Sequence, residues 1–460
     1  MPPSSPGAPG SASAHRGQVS ARPHRARCRD VAPGTASVPG LPLFPGGVLV
    51  RLLLQPHRVV LGFALLSVLC GALPSRAEDT PIVVGSRTTL TSKVLGEERP
   101  LMVHLPRDYA ASPDTRYPVL YVLDAETHFA HLASVVEFLG WTRHIPEMIV
   151  IGVPNTRDRT HDLTPPFSKA ERVDDGRLLS EVSPTAGGAD TFLRFLTEEL
   201  APVVEARYRT QPYRILVGHS FGGLFAMHVL THKPESFNAY VAISPSLQWN
   251  STELVRTAPE ALARLTVPGR GLYLYEDAEE TPNIARLRAL TKELRKRKPS
   301  ALTWRYDELR GEDDHSSIPH IGTYEGLRFL FNGWKVPESL QLSGDLARLE
   351  AHYAGLSKRM GYPVVPQENL LNSVGYQHLG AKRLPQSLAA FERNLALYPD
   401  SANAHDSLAD ALEAVGRIPE ALASCERAIV LGSKHQDPHV PDYQKHRDAL
   451  RARLASQPTP

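Results

Sequence analysis

Gly218-His219-Ser220-Phe221-Gly222 stands between an apolar β-like run, Tyr213-Arg214-Ile215-Leu216-Val217, and an apolar helix-like run from Leu224 to Leu230. Few folds accommodate that junction. A serine at the apex of a strained strand-to-helix turn needs small residues two positions to either side, which Gly218 and Gly222 supply; Gly223 then lets the helix approach the sheet. The pattern reads as a nucleophile elbow that holds Ser220 exposed. The bland reading, a glycine-rich connection in an α/β domain, explains the glycines but not the apolar strand and helix that bracket them.

The chain has 460 residues, 42% hydrophobic and 22% charged, enough for more than one core and of ordinary globular composition. Its net charge of +2 misleads, because residues 1 to 77 hold eight Arg and one Asp, leaving 43 basic and 48 acidic residues in the remainder, net −5. Nucleic acid as a partner is excluded, since it calls for a clustered basic face.

The first 40 residues, rich in Pro, Ser, Gly and Ala with scattered Arg, cannot bury a core and are expected to be disordered. Arg51 and Arg58, an apolar run from Val59 to Leu73, and Ser75-Arg76-Ala77 follow, which reads as a signal peptide cleaved near Ala77. The expectation is a periplasmic or secreted protein with no stable membrane insertion after cleavage; an uncleaved anchor is the alternative. The distance of this segment from Met1 suggests translation beginning nearer residue 50. Cleavage leaves Cys425 as the single cysteine, so no internal disulfide and no cysteine nucleophile are expected.

From residue 82 onward, short β-rich runs alternate with longer helical ones. The expected strands are Thr88 to Leu95, Pro100 to Leu105, Pro118 to Asp124, Met148 to Val153, Tyr213 to Gly218, Ala239 to Ser244, Gly271 to Tyr275 and Leu302 to Asp307. Helices are expected near 128–139, 188–207, 222–232, 283–296 and 321–333. This alternation predicts a mostly parallel sheet with helices on both faces, an α/β-hydrolase fold over 80–335, opened by an antiparallel pair. A second, all-helical region is expected over 340–456. Within it, Val374-Gly375, Ser387, Phe391 and Pro399 recur 34 positions later as Leu408-Ala409, Ala421, Cys425 and Ser433, a spacing that resembles a pair of tetratricopeptide repeats. Such repeats present a surface for a protein or peptide partner, or else buttress the first domain.

A serine hydroxyl needs a general base, and the base needs a group to orient it. His315, after the last strand and before a helix, is the expected base. The acid is expected beyond the strand Gly271 to Tyr275, where Glu276-Asp277-Ala278-Glu279-Glu280 offers four carboxylates; Glu279 is favoured, with Glu280 and Asp277 behind it. Of the two oxyanion donors, the Phe221 N–H is one and the N–H of Ala125 or Glu126 the other.

These motifs, with Pro118-Val119-Leu120-Tyr121-Val122-Leu123-Asp124, Ile151-Gly152-Val153-Pro154-Asn155-Thr156-Arg157, Asp162-Leu163-Thr164-Pro165 and His315-Ser316-Ser317-Ile318-Pro319, resemble the "putative esterase" family that includes esterase D and the siderophore trilactone esterases. The resemblance spans roughly residues 82–335. It implies a small-molecule ester substrate, hydrolysed through an acyl-serine intermediate with no metal or organic cofactor. Ala125 departs from the glycine that relatives commonly carry there. Arg157 and Arg159 are candidate contacts for an anionic or catecholate substrate, or else partners of loop carboxylates. Asp313, Asp314 and His315 are adjacent in sequence and unsuited to converge on one metal ion. Two further readings remain: an acyltransferase of the same fold, and a non-catalytic binding protein that uses its helical repeats.

Overall fold

The computed structural model describes residues 79–173, 175–277, 281–309 and 313–456. The expected leader with its expected cleavage near Ala77, and the candidate acids Glu279 and Glu280, lie outside the described residues.

Apolar runs become strands buried on both faces: every residue of β3 (Tyr117–Leu123), β4 (Ile149–Val153) and β6 (Ala239–Ile243) is buried, as a covered parallel sheet requires. With β1 (Ser86–Ser92), β2 (Glu97–His104), β5 (Thr210–His219), β7 (Arg270–Asp277) and β8 (Leu302–Leu309), they form one eight-stranded sheet of order β1-β2-β4-β3-β5-β6-β7-β8. All neighbours from β4 to β8 pair in parallel, whereas β1 with β2 and β2 with β4 pair antiparallel. This is the order of the α/β-hydrolase fold.

Two boundaries differ from expectation. The first hairpin turns earlier, at residues 93–96, because Gly96 takes the positive φ of 67° that the turn needs; Glu97 to Arg99 thus enter β2. The helix expected over 188–207 is interrupted: Ala189–Arg194 and Ala201–Arg207 are α-helical, but Phe195–Leu200 adopts π geometry. Pro202 supplies the cause, since its ring crowds the carbonyl four residues back and a wider turn relieves the clash.

Helices α1 (Ala125–Trp141), α2 (Phe221–His232), α3 (Pro282–Arg297) and α4 (Ile318–Leu330) cover the sheet. The C-terminal region is wholly helical, with α5 (Leu346–Met360), α6 (Glu368–Gly380), α7 (Leu384–Leu397), α8 (Ala402–Ala414), α9 (Ile418–His435) and α10 (Val440–Ala455). The starts of α6 and α8, and those of α7 and α9, lie 34 residues apart, the period seen in the sequence. Gly375 allows the close approach of α6 to α7: a Cβ there would lie 2.5 Å from the Phe391 ring.

The helical region and the sheet share one core. Tyr213, Phe331, Leu349, Tyr353, Tyr362 and Val364 belong to a single buried cluster, and the Tyr213 ring lies 6.4 Å from that of Tyr362. Tyr213 stands in the first half of β5, away from its Ser220 end, so the helices support the sheet from behind the elbow. Tyr362→Ala is expected to destabilise sheet and helices together by about 3 kcal/mol or more. Calorimetry checks this as a single transition shifted down; two separate transitions would show that the cores are independent.

Candidate active site

Ser220 has φ 58° and ψ −115° between β5 and α2, a backbone state costly for any residue but glycine and characteristic of an elbow. Surrounding bonds hold it there. Its N–H donates to the Ile243 carbonyl at 3.0 Å, and its carbonyl accepts from the N–H groups of Leu224 at 2.9 Å and Ser246 at 3.2 Å. At Gly218 a Cβ would stand 2.1 Å from the Gly222 carbonyl oxygen, so no larger residue fits that side of the turn. The Ser220 hydroxyl lies 3.3 Å from that of Ser246.

Parallel pairing aligns His219 with Ile243 and Ile243 with Tyr275. The next residue of each strand therefore stands level with its neighbours along the carboxyl edge: Ser220, Ser244 and Glu276. Ser244, itself at φ 40°, donates its hydroxyl proton to Glu276 Oε1 at 2.6 Å and lies 2.8 Å from His315 Nδ1. His315 follows β8 in a turn that Asp314 organises, its carboxylate accepting from the N–H groups of Ser316 and Ser317 at 2.9 and 3.0 Å.

Glu276 is 1% exposed. Burial pushes its carboxyl up to about 7, against the hydrogen bonds from Ser244 and Asn283. One oxygen from each of Glu276 and Asp277 lies within 4.8 Å of a His315 ring nitrogen. The acid-bearing strand runs two residues past its expected end at Tyr275, so both carboxylates belong to β7 and not to the loop beyond it.

Phe221 opens α2 and Ala125 opens α1, which places both backbone N–H groups at helix N-termini where such donors lack intrahelical acceptors. Asp124, in left-handed backbone at φ 52°, links the two loops. Its carboxylate accepts from Arg159 Nε and Nη2 at 2.6 and 2.9 Å and from Asn155 Nδ2 at 2.6 Å, while Arg159 Nη2 also donates to the His219 carbonyl at 3.3 Å. Arg159 is thus a strut between the loops. Arg157, exposed, pairs with Glu97 at 3.1 Å. Arg159 thus meets the carboxylate just before α1 and Arg157 that of Glu97 at the start of β2.

Sequence position gave no sign of a file of histidines beside this site. The His219 ring lies 4.4 Å from that of His315 and 5.7 Å from that of His128, and His131 lies 5.3 Å from His128 and 5.5 Å from His320. Burial, aided by the neighbouring imidazoles, holds His219 down to about 3 and His131 down to about 4. Both are neutral in the fold and both take up a proton on unfolding below about 6.5, so stability is expected to fall as pH drops from 6.5 toward 3 and to be indifferent to these groups above that window. Urea midpoints measured across that range check it, and His219→Asn should flatten the slope.

Residues 92–291 match the family model described as "Putative esterase". The ferri-bacillibactin esterase BesA of Bacillus subtilis is 36% identical over 172 residues, covering 35% of this chain and 58% of that protein. The siderophore triacetylfusarinine C esterase of Aspergillus fumigatus is 33% identical over 153 residues, 31% of this chain and 48% of that protein. The chain thus spans about half the length of the curated relatives it matches. Among solved structures, an IroE-like serine hydrolase from Shewanella oneidensis is 29% identical with a TM-score of 0.60, over 68% of this chain and 99% of that one. An uncharacterised protein from Capnocytophaga ochracea, 18% identical, shares the fold with a TM-score of 0.57 over 80% of this chain and 99% of that one.

Proposed function

We propose that this chain, whose residues 92–291 form a member of that esterase family, hydrolyses carboxylic esters through an acyl-Ser220 intermediate, with siderophore-type or aryl esters as substrates. The observation that carries the reading is the contact of Ser244 with both Glu276 and His315 at the level of the Ser220 elbow. A hydroxyl has one proton. With that proton given to ionised Glu276, Ser244 can only accept at its other contact, so the proton between it and His315 sits on Nδ1. Nε2 then keeps a lone pair for the Ser220 hydroxyl.

In this reading the Ser220 oxygen attacks the ester carbonyl as its proton passes to His315 Nε2, and the N–H groups of Phe221 and Ala125 receive the oxyanion. The imidazolium returns the proton to the departing alkoxide. Water then repeats the sequence on the acyl-serine, freeing the acid. The paired helical hairpins, read as tetratricopeptide-like, serve as the support of the sheet, and the leader directs export. Siderophore-type esters are the substrates named for the bacillibactin and triacetylfusarinine C esterases that this chain resembles.

The test is a panel of short-chain aryl esters, feruloyl esters and a catecholate trilactone offered to the chain that starts after Ala77. Hydrolysis of one class with fluorophosphonate labelling at Ser220 is expected. Absence of labelling on folded protein would favour the binding-protein reading, and acyl transfer outrunning hydrolysis in water would replace the esterase assignment with an acyltransferase.

A further inference from the structure

The C-terminal helices hold a separate group of side chains of the types that can ligate a metal. Asp406, Asp410 and Glu413 follow one another at spacings of four and three along α8 and so share one face of it. His446 of α10 packs on that face, with Nδ1 2.8 Å from Asp406 Oδ1 and Nε2 3.5 Å from Asp410 Oδ1 and 3.6 Å from Glu413 Oε2. The pattern of occupied atoms is the informative part. Asp406 takes the Nδ1 proton, the Tyr376 hydroxyl donates to Asp410 Oδ2 at 2.7 Å, and Arg453 donates to Glu413 Oε1 at 2.8 Å. What remains is His446 Nε2, buried without a hydrogen bond and facing Asp410 Oδ1 and Glu413 Oε2 across those two longer separations, and one ligand atom from each of the three residues lies within 4.8 Å of the other two.

Ligand atoms about 2.0–2.1 Å from a tetrahedral ion lie about 3.4 Å apart, close to the two separations from Nε2. A carboxylate on the far nitrogen of a ligating imidazole is the usual outer support of a metal site, and here Tyr376 and Arg453 fix the two carboxylates in the same way. We propose that His446, Asp410 and Glu413 bind one divalent first-row transition ion, with Zn²⁺ the best match to one imidazole and two carboxylates. The ion would tie α10 to α8 and so close the end of the helical region. Cys425, whose Sγ lies 3.7 Å from Asp406 Oδ1 and 3.1 Å from the Tyr443 carbonyl, stands on the Asp406 side of the ring and is not a ligand in this arrangement.

The competing account is a bare ion pair. The hydrogen bond to Asp406, with Cys425 and the charges of Asp406 and Asp410, pushes His446 up to about 11. In that account Nε2 carries a proton between Asp410 and Glu413, and a bound ion takes that proton's place.

Chelator-treated chain starting after Ala77 is titrated with Zn²⁺ by calorimetry beside His446→Gln and Asp410→Asn. One fewer bound ion per variant is expected, with a Zn²⁺-induced rise in Tm that both variants lose. Zinc held by other histidines is common to all three proteins, so the difference is the readout. Equal stoichiometry in folded variants overturns the proposal. Should the variants not fold, anomalous scattering at the zinc edge from soaked wild-type crystals decides: a peak among Nε2, Oδ1 and Oε2 supports the site, and its absence there refutes it.

Discussion

Ser220→Ala is expected to lower kcat by about 10⁴- to 10⁶-fold while leaving Tm nearly unchanged. The two halves of that expectation have different causes. The strained backbone at φ 58° is imposed by bonds to Ile243, Leu224 and Ser246 through main-chain atoms, which alanine retains, so the elbow survives loss of the hydroxyl. In the proposed mechanism the chemistry does not, because alanine lacks the hydroxyl that forms the acyl intermediate. His315→Ala should cost a similar factor, and the double variant should be little worse than either single one, since nucleophile and base act as a unit. Steady-state rates on an aryl ester, with fluorophosphonate titration of the active fraction, measure all three. A Ser220→Ala enzyme keeping more than about 1% of its activity would place the nucleophile elsewhere.

Much of this arrangement is legible in the sequence where the signal is local. The elbow is written in consecutive residues: β5, three glycines within six positions, and the apolar start of α2. His315 is legible from its order after β8 and before α4, and the sheet from the alternation of short apolar runs with longer amphipathic ones. What stayed hidden depends on pairing between distant segments. Ser244 looks like any serine at a strand end until the register His219 with Ile243 with Tyr275 sets it between Ser220 and Glu276. The same register extends β7 to Asp277, which sets the carboxylates of Glu276 and Asp277 on the strand beside His315, while Glu279 lies outside the described residues. The histidines at 128, 131, 219, 315 and 320 come from three separate stretches of chain, and nothing in any one of them announces the others. The π turn before Pro202 had a visible cause, but a helix can meet a proline by kinking, ending or widening, and sequence does not choose among these.

Glu276→Gln is the change with the next largest effect, an expected loss of about 10² to 10⁴ in kcat with KM little altered. In the proposed mechanism the ionised carboxylate at 276 accepts the Ser244 proton, and that keeps the His315 proton on Nδ1 with Nε2 free. An amide can donate to the Ser244 oxygen instead, turning the hydroxyl proton toward Nδ1 and leaving the imidazole proton on Nε2, where it blocks the Ser220 hydroxyl. The same reasoning gives a pH dependence. Because burial holds Glu276 up to about 7, the wild-type carboxyl is neutral below that pH, and kcat/KM should rise through about 7 as the proton leaves. The Gln variant should lack that rise, a loss that a merely structural role for Glu276 does not produce. Asp277 shares the corner, so Asp277→Asn is the control, and a larger fall in that variant would transfer the acid's role to Asp277. Ser244→Ala separates the remaining possibility: if Glu276 acts through Ser244, removing the hydroxyl lowers kcat and abolishes the ionisation near 7 together, whereas a carboxylate that reaches His315 directly keeps its imprint on the pH profile without it.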